Sequence, residues 1–293
     1  MTTRVLRGFE YLEPNSVEEA TSMLEQYGDD ARLLAGGTDL LVLMKRRELI
    51  PKAVIATKKI PGLRYIDVNH SGVRIGAMTT LKDIEKSSML AEKCPVLLEA
   101  VMTMASVQIR ARATVAGNIC NASPSADTAP PLLASDSLIK LIGPKGEREI
   151  PLDSFFIGPG KTVLKRGEMV AEINIPSPSR SGWAFIKSGR TSFDLAKLNV
   201  AVVLSFNEGS CVNAGIAIGG AASTPLRVPE AEKELINKRL DKKILANAAE
   251  IAAGKTSPIT DIRSTSGYRR ELAKVLLRRA LELAIIRERG AVS

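Results

Sequence analysis

Apolar residues recur at helical spacing over 17–27, where Val17, Ala20, Met23, Leu24 and Tyr27 share one face. Ser16 followed by Glu19 reads as a capping box ahead of that run, and Gly28 as its stop. A short apolar run at 32–35 leads directly into Gly36, Gly37, Thr38 and Asp39. A second helical run over 40–49 follows, and then a strand over 54–56 after Pro51. Helix, strand, glycine turn, helix, strand is the order of a small α/β unit, in which a parallel strand pair is expected.

A second unit follows. It has a strand at 73–77, a short helix opened by Thr80 and Asp83, and a helix with Pro95 in its first turn that runs to about residue 105. From 110 to 136 the periodicity vanishes, leaving small residues, helix breakers and hydrogen-bonding side chains; a long stretch of this kind inside a compact domain is usually functional. A hairpin is expected from 138–142 and 147–150 around Pro144, Lys145 and Gly146, and a strand at 169–175. Ser177, Pro178, Ser179, Arg180, Ser181 and Gly182 read as a boundary. Beyond it lie strands at 184–187, 198–206 and 212–218, then helices after Pro229. In the last of these, over 266–289, Leu272, Leu276, Ala280, Leu283 and Ile286 share one face. No internal repeat is visible.

Composition narrows the chemistry. The 293 residues, 45% hydrophobic and 25% charged, suffice for about two domains with a substantial core. No apolar run approaches the roughly 18–20 residues of a membrane span, since Leu40, Leu41, Val42, Leu43 and Met44 are stopped by Lys45, Arg46 and Arg47. Arg4, Arg7 and Glu10 stand where a signal peptide needs an apolar stretch, so a soluble cytoplasmic protein is expected. The one histidine, His70, falls in a turn-like context. Cys94, Cys120 and Cys211 are too scattered for a metal site and read as small buried hydrophobes. Neither zinc, an iron–sulfur cluster of the chain's own, nor a histidine-based nucleophilic engine is expected.

The formal charge of +9 is concentrated. Lys45, Arg46, Arg47, Lys52, Lys58 and Lys59 against Glu48, together with Arg269, Arg270, Lys274, Arg278, Arg279, Arg287 and Arg289 against Glu271, Glu282 and Glu288, equal the whole excess. Neither segment interleaves aromatics with its cations as a nucleic-acid groove would. Solvated faces, or a docking surface for an acidic partner, remain.

Two segments combine small residues with the end of a strand. One is Leu33, Leu34, Ala35, Gly36, Gly37, Thr38, Asp39 and Leu40; the other is Thr114, Val115, Ala116, Gly117 and Asn118. Successive backbone N–H groups in such turns can converge on an anion, and the first also precedes a helix whose N-terminal dipole favours negative charge. A single Gly-Gly turn is more often only a tight connection, but two suit a pyrophosphate. Gly160, Lys161 and Thr162 mimic the tail of a P-loop, yet Phe155 stands where its first glycine belongs, and no GxGxxG follows a strand. A dinucleotide site here is not of the Rossmann type.

These two turns resemble, in order, motifs of the FAD-binding medium subunit of the molybdenum hydroxylases. So do Gln108, Ile109 and Arg110, the run from Ala122 to Asp127, the turn from Gly158 to Lys161, and the late Ser264, Tyr268, Arg269, Arg270 and Leu272. That family includes xanthine dehydrogenase and aerobic carbon monoxide dehydrogenase. The resemblance implies an α+β chain: an FAD-binding fold of the vanillyl-alcohol oxidase and p-cresol methylhydroxylase type, made of two α/β subdomains (about 1–60 and 61–176), and a C-terminal α+β domain at 183–293 with a three-stranded antiparallel sheet plus helices.

The resemblance further implies non-covalent FAD. The first turn would wrap the pyrophosphate, with Gly36, Gly37 and Thr38 donating backbone N–H groups, and the second would reach the same phosphates. Asp127 would bind a hydroxyl of the adenosine ribose and Met104 would lie near the isoalloxazine. Val170 would offer a backbone group to the adenine end, and Lys187 would approach the flavin ring. Where the family usually has consecutive glycines this chain has Ala116, which adds a methyl where backbone meets phosphate. The implied partners are a [2Fe-2S] small subunit and a molybdopterin-binding large subunit, in a dimer of heterotrimers, with NAD⁺ or another acceptor as electron sink and no nucleic acid. A flavin with its own redox chemistry explains an inventory without catalytic residues. Two alternatives are a free-standing FAD-dependent oxidoreductase, for which Lys187, Arg190 and Asp194 are the few proton-handling candidates, and a flavin-free nucleotide-binding or assembly module, hinted at by Ala116.

Overall fold

The computed structural model describes residues 5–176, 181–191 and 193–290. The first unit is β1 (Glu10–Leu12), α1 (Val17–Tyr27), β2 (Ala31–Leu34), α2 (Leu40–Arg46) and β3 (Ala53–Ala56). Its strands form a parallel sheet in the order β1-β3-β2, so the carboxyl ends of all three lie at one edge. Ser16 Oγ accepts the N–H of Glu19, while the Glu19 carboxylate accepts the N–H of Asn15 rather than that of Ser16. Helix α2 stops three residues earlier than its apolar run predicts, because Arg47 turns into the left-handed region at φ 61°.

The second unit comprises β4 (Ile66–Asn69), β5 (Gly72–Gly76), α3 (Leu81–Glu85), α4 (Ser88–Lys93), α5 (Pro95–Met102), α6 (Val107–Arg110), α7 (Val115–Cys120), α8 (Ala129–Ala134), β6 (Leu138–Gly143), β7 (Gly146–Pro151), β8 (Phe156–Gly158), β9 (Lys161–Thr162) and β10 (Met169–Pro176). Its main sheet, in the order β4-β5-β10-β6-β7, is antiparallel throughout, and alternation puts Val73, Ile75, Ile139, Leu141 and Ile173 beneath the helices. His70 lies exposed in the β4–β5 turn. The stretch without periodicity begins at the last residue of the four-residue α6 and holds α7 and α8, of six residues each, too short to display a period. Their start signals are present nonetheless: Ser106 and Thr114 cap α6 and α7, and prolines fill the first turn of α8.

The C-terminal unit comprises β11 (Ser181–Ser188), β12 (Leu198–Asn207), β13 (Ser210–Gly219), β14 (Leu226–Arg227), α9 (Pro229–Leu235), α10 (Lys242–Lys255) and α11 (Ser266–Gly290). The antiparallel sheet β11-β12-β13-β14 has a fourth, two-residue strand beyond the three expected. Of the expected boundary, 177–180 lie outside the described residues, and Ser181 and Gly182 already belong to β11.

This sheet is covered on both sides. Val200, Val202, Leu204, Ile216 and Ile218 pack with Leu245, Leu277 and Leu281 of the C-terminal helices, whereas Phe185, Ala201, Val203 and Ala217 join the core of the second unit, where α5 and α8 meet the sheet. Double burial is why β12 reads as an unbroken apolar run rather than an alternating one. At the rim of the contact, Arg287 makes a two-pronged ion pair with Glu99, both contacts 2.9 Å. It also stacks 3.7 Å from the centre of the Trp183 ring.

Several cations expected to be solvated are engaged. Arg269 is buried and pairs with Asp261, Lys52 with Asp30, and Lys59 with Glu13. Cys94 and Cys211 are buried, and burial pushes both thiols up to about 11; Cys120 is only partly buried. Among the described residues no helix is long and apolar enough to cross a membrane, and no group of His, Cys, Asp and Glu could hold a metal ion.

Candidate cofactor site

Strand β2 ends at Leu34, whose carbonyl accepts the hydroxyl of Thr57 at 3.2 Å, and the chain then turns through 35–39 at the carboxyl edge of the parallel sheet. Ligands of open α/β sheets sit at such edges. Gly37 adopts φ 74°, which favours glycine, and Gly36 lies so close to the second unit that a methyl there would fall 2.1 Å from the Arg112 carbonyl oxygen and 2.8 Å from Ala113 Cα. Leu33, Leu34, Ala35 and Thr38 are half-buried. Asp39 is exposed and caps α2 without a side-chain hydrogen bond, and Leu40 is the first residue of that helix.

The second turn starts α7. The buried Thr114 hydroxyl accepts the N–H of Gly117 at 3.0 Å, while the first-turn N–H groups of Val115 and Ala116 have no helix carbonyl to donate to. Ala116 is helical, not in the left-handed region, so its methyl is carried without backbone strain and is buried. A methyl on Gly117 would meet Ala35 Cβ at 3.9 Å, which places the two glycine turns against each other. The neighbouring turn from Gly158 to Lys161 lies against α7's end, the N–H of Gly160 donating to the Ala122 carbonyl at 3.0 Å. Two backbone-lined turns from different units, meeting at a close approach only glycine permits, fit a pyrophosphate linking the halves of a dinucleotide.

A second group of candidates is gathered nearby. Asp127, 5% exposed, accepts the Lys187 ammonium on Oδ2 at 2.6 Å and the Asn199 amide on Oδ1 at 2.6 Å; Lys187 also donates to the Thr103 carbonyl at 3.2 Å. Burial raises the Asp127 carboxyl above the usual carboxylate range, against the pull of Lys187. Met104 is buried next to Thr103, and its carbonyl accepts Arg110 Nη1 at 2.8 Å. Arg110 is buried too, pairs through two 3.1 Å contacts with Glu85, and braces the turn where Ala105 has φ 43°. Asp127 and Lys187 thus form one locus; the resemblance implies the adenosine ribose for the first and the flavin ring for the second. Val170 joins neither group: it lies in β10, in the second unit's core, beneath α7.

The sequence reading did not find Asn199, Thr128 or Glu85, nor the bracing role of Arg110. Asn199 left one signal, a polar side chain inside the apolar run of β12.

Two apposed backbone-lined turns are a candidate dinucleotide-binding site, and the relatives show the family. Residues 7–178 match the family described as FAD binding domain in molybdopterin dehydrogenase, and residues 183–284 match CO dehydrogenase flavoprotein C-terminal domain. The chain belongs to the FAD-binding subunits of the molybdenum hydroxylases, a family of oxidoreductases. It is 36% identical over 283 residues to the carbon monoxide dehydrogenase medium chain of Afipia carboxidovorans, covering 96% of this chain and 98% of that one. It is 30% identical over 259 residues to the xanthine dehydrogenase FAD-binding subunit of Escherichia coli O157:H7, covering 87% and 89%. A solved structure of carbon monoxide dehydrogenase from Hydrogenophaga pseudoflava, which lacks the Mo-pyranopterin moiety of the molybdenum cofactor, matches at TM-score 0.94 and 37% identity, covering 97% and 99%.

Proposed function

We propose that this chain holds FAD non-covalently between its two glycine turns and serves as the electron-relay subunit of a molybdenum hydroxylase complex. The observation that carries the reading is the contact of the two turns, Gly36 against Arg112 and Ala113, and Ala35 against Gly117. Backbone N–H groups of Gly36, Gly37 and Thr38 on one side, and of Val115 and Ala116 on the other, would hold the pyrophosphate. Asp127, Lys187 and the Met104 turn would hold a further part of the molecule, and Val170 would contribute through its strand. FAD, when bound, supplies the redox chemistry, accepting electrons from a [2Fe-2S] small subunit beside a molybdopterin-binding large subunit and passing them to NAD⁺ or another acceptor. Residues 1–176 act as the FAD-binding domain and 183–293 close over it. The assembled form is a dimer of heterotrimers.

The test is to purify the chain with whatever it associates with. The expected result is one flavin per chain, released intact on denaturation, two co-purifying subunits, and bleaching of the flavin by NADH if NAD⁺ is the acceptor. A colourless chain in an intact complex overturns the reading, and substrate turnover by the isolated chain replaces it with a free-standing flavoprotein.

A further inference from the structure

The segment running from Pro124 to Thr128 is gripped from two sides. From the C-terminal unit, Lys187 on β11 and Asn199 on β12 take one carboxylate oxygen each of Asp127, and Gly220, just past β13, donates its N–H to the Pro124 carbonyl at 2.7 Å. From the other side Thr128, wholly buried, donates its hydroxyl to Asn118 Oδ1 at 2.6 Å. Asn118 belongs to α7, the helix that the second glycine turn begins. Polar contacts on either side of the Asp127–Thr128 peptide bond therefore join the C-terminal sheet to that turn.

Asn199 has little other reason to be there. It is fully buried, and its Oδ1 lacks a hydrogen-bond partner among the described residues. That oxygen presses on Gly219, its cross-strand partner on β13, where a methyl would fall 2.1 Å away. A buried amide left half unsatisfied is costly, and an apolar residue would suit the strand better. Beyond a 3.4 Å contact with the Ala126 carbonyl, its distinctive bond is the one to Asp127.

We propose that Asn199 and Thr128 are positioning residues that couple closure of the C-terminal unit to the grip of the second glycine turn on FAD. The inference rests on the flavin reading above. A ligand that orders α7 holds Asn118, which fixes Thr128 and so presents Asp127 to Lys187 and Asn199; by linkage, the closed arrangement strengthens the hold on the ligand by the same factor.

The test uses the full chain in the complex it purifies with, stripped of flavin and titrated with FAD while flavin fluorescence is followed. Thr128→Val keeps the shape and removes the hydroxyl, and about tenfold weaker binding is expected, on the scale of one lost hydrogen bond. Thr128→Ser restores the hydroxyl and should recover the affinity. Asn199→Leu should weaken FAD comparably, and the double variant Thr128→Val, Asn199→Leu no further than either alone, since each breaks the same line of contacts, one on either side of the Asp127–Thr128 peptide. Wild-type affinity in Thr128→Val, failure of the serine variant to rescue, or simple additivity of the two losses overturns the inference while leaving the flavin reading intact. A wild-type complex that takes up no FAD overturns both.

Discussion

A methyl group at position 36 has nowhere to go, because three backbone atoms of the second unit occupy its place. Gly36→Ala is expected to destabilise the fold by about 1–3 kcal/mol, the range for overpacking, and to lower FAD affinity as the turns are pushed apart. Gly254→Ala is the contrast. It lies in α10 with open space around it, so the same change is expected to leave stability unchanged or raise it by up to about 1 kcal/mol. Urea melts of the two variants, compared with wild type, measure the difference. Gly37 was legible because the demand on it is local, a strand turning at once into a helix through φ 74°; Gly36 was legible only as its neighbour in the Gly-Gly pair, since the backbone that excludes a methyl there belongs to the distant Arg112 and Ala113. Thr128 and Asn199 were not, since their partners stand 10 and 72 residues away and nothing near them in the chain names those partners.

At the scale of elements, long periodic segments and capped helices were legible, and the 110–136 stretch was not. Helices α6 and α7 each carry one side-chain cap and α8 only prolines in its first turn, and each has too few residues for its apolar face to repeat. Of the second sheet only the β6–β7 hairpin was legible; the pairings of β10 were hidden, since they depend on that strand arriving from far along the chain to lie between β5 and β6. One tie between such distant elements has a pH signature. Glu168, at the entry to β10, is held below the usual glutamate range chiefly by its hydrogen bonds to Arg148 on β7, both 2.8 Å. A folded-state value below the unfolded one gives stability that is present above the unfolded value and is lost as pH falls through the folded one. Glu168→Gln should therefore flatten the acid limb of a stability–pH profile, while a profile as steep as wild type would place the acid sensitivity elsewhere.

For the whole molecule, the resemblance in motif order anticipated the family and the kind of cofactor, because glycine turns report backbone geometry wherever the rest of the chain goes. The charge was less informative: a surplus of nine includes guanidinium groups such as Arg269 and Arg287 that work inside the structure. The sole tryptophan, Trp183, sits where the C-terminal sheet meets α5, under the Arg287 guanidinium. With one sheet shared between two cores, tryptophan fluorescence and far-ultraviolet circular dichroism are expected to report coincident urea transitions. Two separated transitions would show that the units melt independently.

The shared sheet also sets an order of events for a newly made chain. Before it docks, Phe185, Ala201, Val203 and Ala217 form an apolar face with nothing against it, even if the opposite face is already covered by its own helices. Such a half-docked species is compact yet sticky, and its lifetime is set by a search across contacts as distant as Glu99 and Arg287, 188 residues apart. Yield on refolding should then be governed by competition between this docking and self-association, so dilution would recover more native protein than any slowing of the earlier steps.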